Sequence, residues 1–289
     1  MIQQLLTASD AQAWSQQQRF DGHRLVLVPT MGALHEGHLR LVDAAFEHGD
    51  RVVVSIFVNP IQFNRTDDFE HYPRTFDSDS AKCVERGVHA LYVPRAADMY
   101  PPGFQTYVEP GPLAEPLCGA GRPGHFRGVT TVVSKLFHAV RPDVALFGQK
   151  DFQQLAIIRR MTHDLDFGIE IVGIPTVREE DGVALSSRNQ LLTPDSRRAA
   201  GCIPGALQAA VAGVAAGHQS APWIVRAATQ VIEAEPLAKL EYCELRDPET
   251  LELVDELDRP GLLAVAVWFG PVRLIDNVVL TPLPRPHSH

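Results

Sequence analysis

Pro29-Thr30-Met31-Gly32-Ala33-Leu34-His35-Glu36-Gly37-His38 follows the apolar run Leu25-Val26-Leu27-Val28 and precedes a helical pattern, Leu39, Val42, Ala45 and Phe46, that stops at Gly49. The order is strand, glycine-punctuated loop, helix. Two imidazoles sit three residues apart where the helix begins. A helix N-terminus carries unpaired N–H groups and partial positive charge, which suits phosphate, and the two histidines can add donors. Gly32 and Gly37 let backbone approach a ligand. The stretch is neither GxxxxGK(S/T) nor GxGxxG. It is a His-x-Gly-His loop, and it points to chemistry on a nucleotide α-phosphate. As metal ligands His35 and His38 lack an identifiable third partner.

Working outward, apolar runs recur at Leu25–Val28, Val52–Val58, Ala90–Val93, Val144–Phe147 and Ile169–Ile174. Helical spacing lies between them, as in Val129, Val132, Val133, Leu136, Phe137, Val140 and in Leu155, Ile158, Met161, Leu165. Buried strands alternating with helices imply βαβ units and a parallel sheet, whose ligands bind at the carboxyl ends of strands. His35 and His38 follow the first strand, Asn59 and Gln62 the second, and Gly148, Lys150 and Asp151 the fourth, so the three groups converge on one edge. After Pro175 the character changes. Val177 to Arg188 is polar and loop-like; Ala-rich helical stretches follow at roughly 194–216 and 221–234, then strand runs around Leu240–Leu245, Leu262–Trp268 and Val272–Leu274. The fold class is therefore α/β, a parallel-sheet N-terminal domain with a smaller α+β C-terminal domain, the boundary falling near 175–185. Asp67-Asp68-Phe69-Glu70 and Asp77-Ser78-Asp79 read as solvated loop, and the tail from Pro284 as disordered.

Composition narrows the function classes. The chain has 289 residues, 45% hydrophobic and 21% charged, with a net charge of −9. That balance is ordinary for a globular protein and argues against a broad nucleic-acid surface. Cys83, Cys118, Cys202 and Cys243 show no CxxC spacing, so neither zinc nor a redox motif is indicated, and a reducing compartment is the simplest setting. The start lacks a signal-peptide pattern, and no apolar run approaches a membrane span. The expected location is the cytoplasm.

Three further segments carry candidate chemistry. In Leu146–Leu155, Lys150 lies at a strand end beside a helix N-terminus, where its ammonium can reach triphosphate; Asp151 is the expected N-cap, and Gln154 lies one turn on. A solvated lysine at 150 and a mere cap at 151 is the alternative. In Pro175–Asn189, Ser186, Ser187 and Arg188 offer two hydroxyls and a guanidinium for phosphate, on an element placed to close over a nucleotide; a polar linker with a capping serine is the alternative. In Val54–Asn64, the amides of Asn59 and Gln62 can hold a small hydroxy acid, or Asn59-Pro60 can simply begin a turn. His125-Phe126-Arg127-Gly128 could cap a helix or contact substrate, and Tyr72-Pro73-Arg74-Thr75 could be a turn with a structural arginine or face a partner.

Together these segments closely resemble the pantothenate synthetase (pantoate–β-alanine ligase) family of HxGH nucleotidyltransferases. The matching text is Pro29–His38 (PTMGALHEGH), Val54–Phe63 (VSIFVNPIQF), Tyr72–Thr75 (YPRT), His125–Phe137 (HFRGVTTVVSKLF), Phe147–Ile158 (FGQKDFQQLAII), Thr176–Asn189 (TVREEDGVALSSRN), Tyr242–Asp247 (YCELRD) and Arg273–Asn277 (RLIDN). The resemblance spans nearly the whole chain in order.

It implies a Rossmann-like domain over 1–176 that binds ATP and pantoate, a lid domain over 177–289, a homodimer, and Mg2+ accompanying ATP as substrate. No prosthetic group and no protein ligand to metal is assigned. The implied reaction condenses (R)-pantoate with β-alanine through a pantoyl adenylate, releasing AMP and pyrophosphate. His35, His38, Lys150 and Arg188 are then catalytic. ATP would meet Met31, Gly32, Ala33, Leu34, His35, Glu36, Gly37, His38, Gly148, Gln149, Lys150, Asp151, Val177, Leu185, Ser186, Ser187 and Arg188. Gln62 and Gln154 would hold pantoate, and Gln62 also β-alanine. Two positions depart from the family pattern: Gln149, where Glu or Lys is associated with the loop, and Leu185, where Met is usual. Another HxGH enzyme that passes AMP to a phosphate ester, and a catalytically silent nucleotide-binding module, stay open as alternatives.

Overall fold

The computed structural model describes residues 2–64 and 69–283; Asp67, Asp68 and the tail from Pro284 lie outside them. The chain divides into two compact units. One comprises the chain up to Gln149 with Gln153–Thr176, the other Lys150–Phe152 with the chain from Val177 onward.

The first unit is built on six parallel strands: β1 (Gln3–Leu5), β2 (Leu25–Thr30), β3 (Arg51–Ile56), β4 (Ala90–Tyr92), β5 (Val144–Gly148) and β6 (Glu170–Ile174). Their order across the sheet is β1-β4-β3-β2-β5-β6. Leu25 to Val28 and Val52 to Val54 are fully buried, as strands covered on both faces require. The helices are α1 (Ala8–Phe20), α2 (Glu36–Ala45), α3 (Phe76–Glu85), the single turn α4 (Ala96–Met99), α5 (His125–Val140) and α6 (Phe152–Asp164). The α5 stripe read from the sequence, Val129, Val132, Val133, Leu136, Phe137 and Val140, is buried throughout. From β2 the chain steps to β3 and β4 on one side and to β5 and β6 on the other. The crevice beyond the carboxyl ends of β2 and β5 is therefore the switch point where open α/β sheets place ligands.

Two stretches differ from expectation. Strand β1 has no counterpart in the sequence reading because only Leu5 of its three residues is buried, too short for a pattern. Asp77-Ser78-Asp79 is the first turn of α3 rather than solvated loop, and Asp79 is fully buried.

The second unit packs α8 (Cys202–Ala215) and α9 (Ala221–Glu233) against an antiparallel sheet of β7 (Lys239–Arg246), β8 (Gly261–Phe269) and β9 (Val272–Leu280), preceded by α7 (Pro194–Ala199). Its core joins Ile203, Leu207, Ile224, Ile232, Val265 and Phe269. The helical stretch expected at 194–216 is broken at Ala200-Gly201. Pro204 gives the reason, since its ring excludes a helical carbonyl four residues earlier, at Ala200. Among the described residues no helix is long and apolar enough to cross a membrane.

Candidate active site

The loop after β2 is set from behind. Thr30 donates its hydroxyl to the Ser55 carbonyl at 2.6 Å and accepts the Gly32 N–H at 3.2 Å. Gly32 and Ala33 then take left-handed φ values of 81° and 52°. The backbone N–H groups that follow this turn meet an anion. The anion here is internal: Asp79 accepts the N–H groups of Ala33 and Leu34, each at 2.8 Å, and the Thr75 hydroxyl at 3.1 Å. Lys82 donates to the Leu34 carbonyl at 2.6 Å. The Ala33 and Leu34 amides, expected to line a nucleotide, are thus committed to α3.

His35 is the N-cap of α2. Its Nδ1 accepts the Gly37 N–H at 3.1 Å, and Nδ1 of His38 accepts the His35 N–H at 3.4 Å. The ring centroids are 4.1 Å apart. In a neutral imidazole an accepting Nδ1 places the proton on Nε2. The helix end read as a bare phosphate seat is capped by the same histidines that extend it.

Gln62 is held at both ends. Its side-chain oxygen accepts from Asn59 Nδ2 at 2.8 Å, and its Nε2 lies 3.2 Å from Met31 Sδ. Its carbonyl accepts from His125 Nδ1 at 2.8 Å, while Arg122 Nη1 lies 3.0 Å from His125 Nε2. His125 therefore fixes the segment bearing Gln62. Asn59, only 1% exposed, donates also to the Gly128 carbonyl at 3.1 Å and accepts from the Tyr100 hydroxyl at 2.7 Å; it is a support, not a ligand. Gly128 is required by contact, since a Cβ there would fall 2.5 Å from the Ile61 carbonyl oxygen. Arg74 donates to the carbonyls of Phe69, Glu70 and Tyr72, a structural arginine inside a turn.

At the end of β5, Gln149 donates to the Gly173 carbonyl at 3.3 Å. Asp151 ends a 3₁₀ turn, Gln149–Asp151, that runs directly into α6. Gln153 points inward to Leu113, Pro116 and Cys118. Gln154 is half-buried.

In the second unit, Lys150, Val183, Ala184, Ser186, Leu274 and Asp276 surround one hollow. The segment expected to be a mobile polar loop is a hairpin turn: Arg178 pairs with Ala184, and the Leu185 N–H donates to the Val177 carbonyl at 2.9 Å. It is tied down on three sides. Arg178 grips Asp276 with bonds of 2.6 and 3.0 Å, and the Asp276 side chain is 1% exposed. Arg197 reaches Glu179 at 2.8 Å and Asp181 at 2.7 Å. Asn189 donates to Glu179 at 2.7 Å and to the Ala184 carbonyl at 3.1 Å. Ser186 accepts the Arg188 N–H at 3.2 Å and caps the 3₁₀ turn Ser187–Leu191.

The structure thus gathers Met31, His35, His38 and Gln62 around the loop after β2, and Lys150 and Ser186 around the hollow in the second unit. Sequence reasoning missed Asp79, Lys82, Tyr100 and the Arg178–Asp276 pair. Asp79 alone left a signal: it falls in step with Phe76 and Cys83 at i, i+3, i+7, the spacing of a buried helix face. Among the described residues no three His, Cys, Asp or Glu side chains form a metal cage.

Comparison with known proteins agrees with this geometry. The profile of the family described as Pantoate-beta-alanine ligase matches residues 3–279. Pantothenate synthetase 1 of Bradyrhizobium diazoefficiens is 53% identical over 259 residues, covering 89% of this chain and 91% of that protein. The pantothenate synthetase of Syntrophobacter fumaroxidans is 49% identical over 276 residues, covering 96% and 98%. A crystal structure of pantothenate synthetase from Thermus thermophilus superposes with a TM-score of 0.91 at 42% identity, over 97% of this chain and 100% of that one. That of pantoate-beta-alanine ligase from Francisella tularensis, complexed with beta-gamma ATP and beta-alanine, gives 0.79 at 31% identity, covering 96% and 98%. With strand order, histidine loop and full-length similarity in accord, the chain is an enzyme of the pantoate–β-alanine ligase family.

Proposed function

We propose that the enzyme condenses (R)-pantoate with β-alanine in two steps at the end of β2. In the first, a pantoate carboxylate oxygen attacks the ATP α-phosphorus; the bond to the β-phosphate bridging oxygen breaks, and pyrophosphate leaves. In the second, the β-alanine amine attacks the acyl carbon of the pantoyl adenylate; the acyl–oxygen bond breaks, AMP leaves, and the nitrogen loses a proton. Adenylation is needed because oxide is a poor leaving group and AMP is a good one.

The observation that carries this reading is the pair of adjacent imidazoles at the start of α2, their planes tilted by 38°, both with Nδ1 committed to backbone. Two Nε2–H donors preset in this way stabilise charge developing on phosphoryl oxygens. His38 donates to the departing pyrophosphate, and His35 to the α-phosphate. Backbone of Met31, Gly32 and His35–His38, with that of Gly148–Asp151, Val177 and Leu185, lines the nucleotide. Lys150, Ser186, Ser187 and Arg188 hold the β- and γ-phosphates. Gln62 and Gln154 hold pantoate, and Gln62 guides β-alanine. Mg2+ would enter with ATP and offset phosphate charge; Asp79, behind the loop, is spent on backbone. Residues 1–176 bind ATP and pantoate, and residues 177–289 act as a lid that limits hydrolysis of the adenylate. The enzyme works in the cytoplasm as a homodimer.

The test is ATP–pyrophosphate exchange with and without β-alanine. Exchange that needs pantoate but not β-alanine, with AMP and pantothenate accumulating only when both acids are present, is the expected outcome. Exchange that depends on β-alanine, or AMP formed without pantoate, overturns the two-step order.

A further inference from the structure

The Gln62 amide has a fixed polarity, and its cause lies two residues away. The Tyr100 hydroxyl donates to Asn59 Oδ1 at 2.7 Å. The Gly128 carbonyl, which can only accept, fixes which end of the buried Asn59 amide is NH2, and the Tyr100 hydroxyl holds the oxygen end in place. Asn59 Nδ2 then has two hydrogens, and the Gln62 side-chain oxygen and the Gly128 carbonyl take them at 2.8 and 3.1 Å. With its oxygen engaged, Gln62 turns its NH2 the other way, toward Met31 at 3.2 Å. Burial pushes the Tyr100 phenol well above its ordinary range, so it stays a donor at every working pH. Asn59 cannot be flipped alone, because its oxygen would then face the Gln62 side-chain oxygen and the Gly128 carbonyl.

We propose that Tyr100 is a positioning residue that acts through Asn59 to hold Gln62 as a hydrogen-bond donor, so that the site selects an acid substrate presenting an acceptor oxygen. The proposal rests on Gln62 holding pantoate. Tyr100 touches Asn59 through its hydroxyl, and Tyr100→Phe removes that hydroxyl alone. Without it the buried Asn59 oxygen loses its donor, the amide is held more loosely, and Gln62 loses its preset orientation.

The experiment is a double-mutant cycle of Tyr100→Phe and Gln62→Ala, read as KM for pantoate and KM for ATP, with side-chain amide hydrogen exchange of Asn59 followed by NMR. Tyr100→Phe is expected to raise the pantoate KM about tenfold, worth about 1.4 kcal/mol, with kcat and the ATP KM changed by less than about twofold. In the Gln62→Ala background the same change should have no further effect. Exchange of the Asn59 amide should quicken in Tyr100→Phe. Effects that add, or an Asn59 exchange rate left unchanged, overturn the relay. If Gln62→Ala leaves the pantoate KM unchanged, the pantoate seat is wrong. The relay is then decided by NMR alone, where faster Asn59 exchange upholds it and unchanged exchange removes it.

Discussion

Asn277 donates its side-chain amide to the backbone carbonyl of Lys150 at 3.0 Å, across 127 positions of sequence. Its neighbour Asp276 holds Arg178, at the root of the hairpin that leads to Ser186 and Arg188. Two consecutive residues of β9 therefore tie down both segments, the one bearing Lys150 and the one leading to Ser186 and Arg188. Arg178→Met should leave the buried Asp276 carboxylate unpaired and cost about 3 kcal/mol, whereas Arg178→Met with Asp276→Leu should recover most of the loss. Urea denaturation measures both.

Asp79→Asn tests the clamp behind the histidines. An amide has one acceptor oxygen where the carboxylate offers two, so one of the Ala33 and Leu34 N–H groups is orphaned. A buried unsatisfied donor costs about 1–3 kcal/mol. We expect a similar loss of stability and about a tenfold lower kcat/KM for ATP, because the loop that orients His35 and His38 relaxes. Unchanged ATP kinetics in the folded variant would show that the loop holds itself.

Gly128→Ala sets two effects against each other. Alanine in a helix interior is favoured over glycine by about 1 kcal/mol. Its Cβ, however, would meet backbone at Ile61 and Gln62 at 2.5 to 2.7 Å, closer than any real contact, and displacing backbone costs more than propensity returns. The variant should be less stable, with a raised pantoate KM and an unaltered ATP KM, as steady-state assays would show.

His38→Ala, Lys150→Ala and Arg188→Ala should each slow adenylation about a hundredfold, near 3 kcal/mol of transition-state stabilisation, while thermal melting stays close to wild type. Single-turnover pyrophosphate release checks this. Near-normal rates in all three would remove the assigned roles.

Glu241 carries the pH dependence of the small sheet. Its bonds to Arg273, at 2.8 and 2.9 Å, and to the Trp268 indole hold its carboxyl below the ordinary glutamate range. The folded protein thus binds fewer protons than the unfolded chain as pH falls through and below the ordinary glutamate range. The contribution is complete above that range and is lost through and below it. The acid decline in Tm should be shallower in Glu241→Gln, and Trp268 fluorescence should follow the wild-type loss.

What was legible in the sequence is what is local. Leu25–Val28 could be read as a strand because every residue of the run is buried, and α2 and α5 because their apolar positions recur at helical spacing. The His35–His38 pair was legible because its residue types belong to one kind of chemistry. What escaped depends on distant partners. Asp79 reads as a solvated acid until Ala33 and Leu34, 46 and 45 residues away, arrive to use it. The hairpin at 177–185 reads as loop because its order comes from Arg178, Arg197 and Asn189 rather than from any apolar period. Tyr100, 41 residues from Asn59, gives no local sign at all.

Lys150–Phe152 belongs by its contacts to the second unit, although it sits in the middle of the first unit's sequence. A split version of the enzyme, expressed as two polypeptides divided after Thr176, would therefore not separate along the natural seam. The N-terminal piece would carry Lys150 away from Asn277, and the C-terminal piece would lack a tripeptide of its own body. A functional pair of fragments would need that tripeptide supplied from the other polypeptide, which makes residues 150–152 the stitch that any split design or circular permutant has to respect.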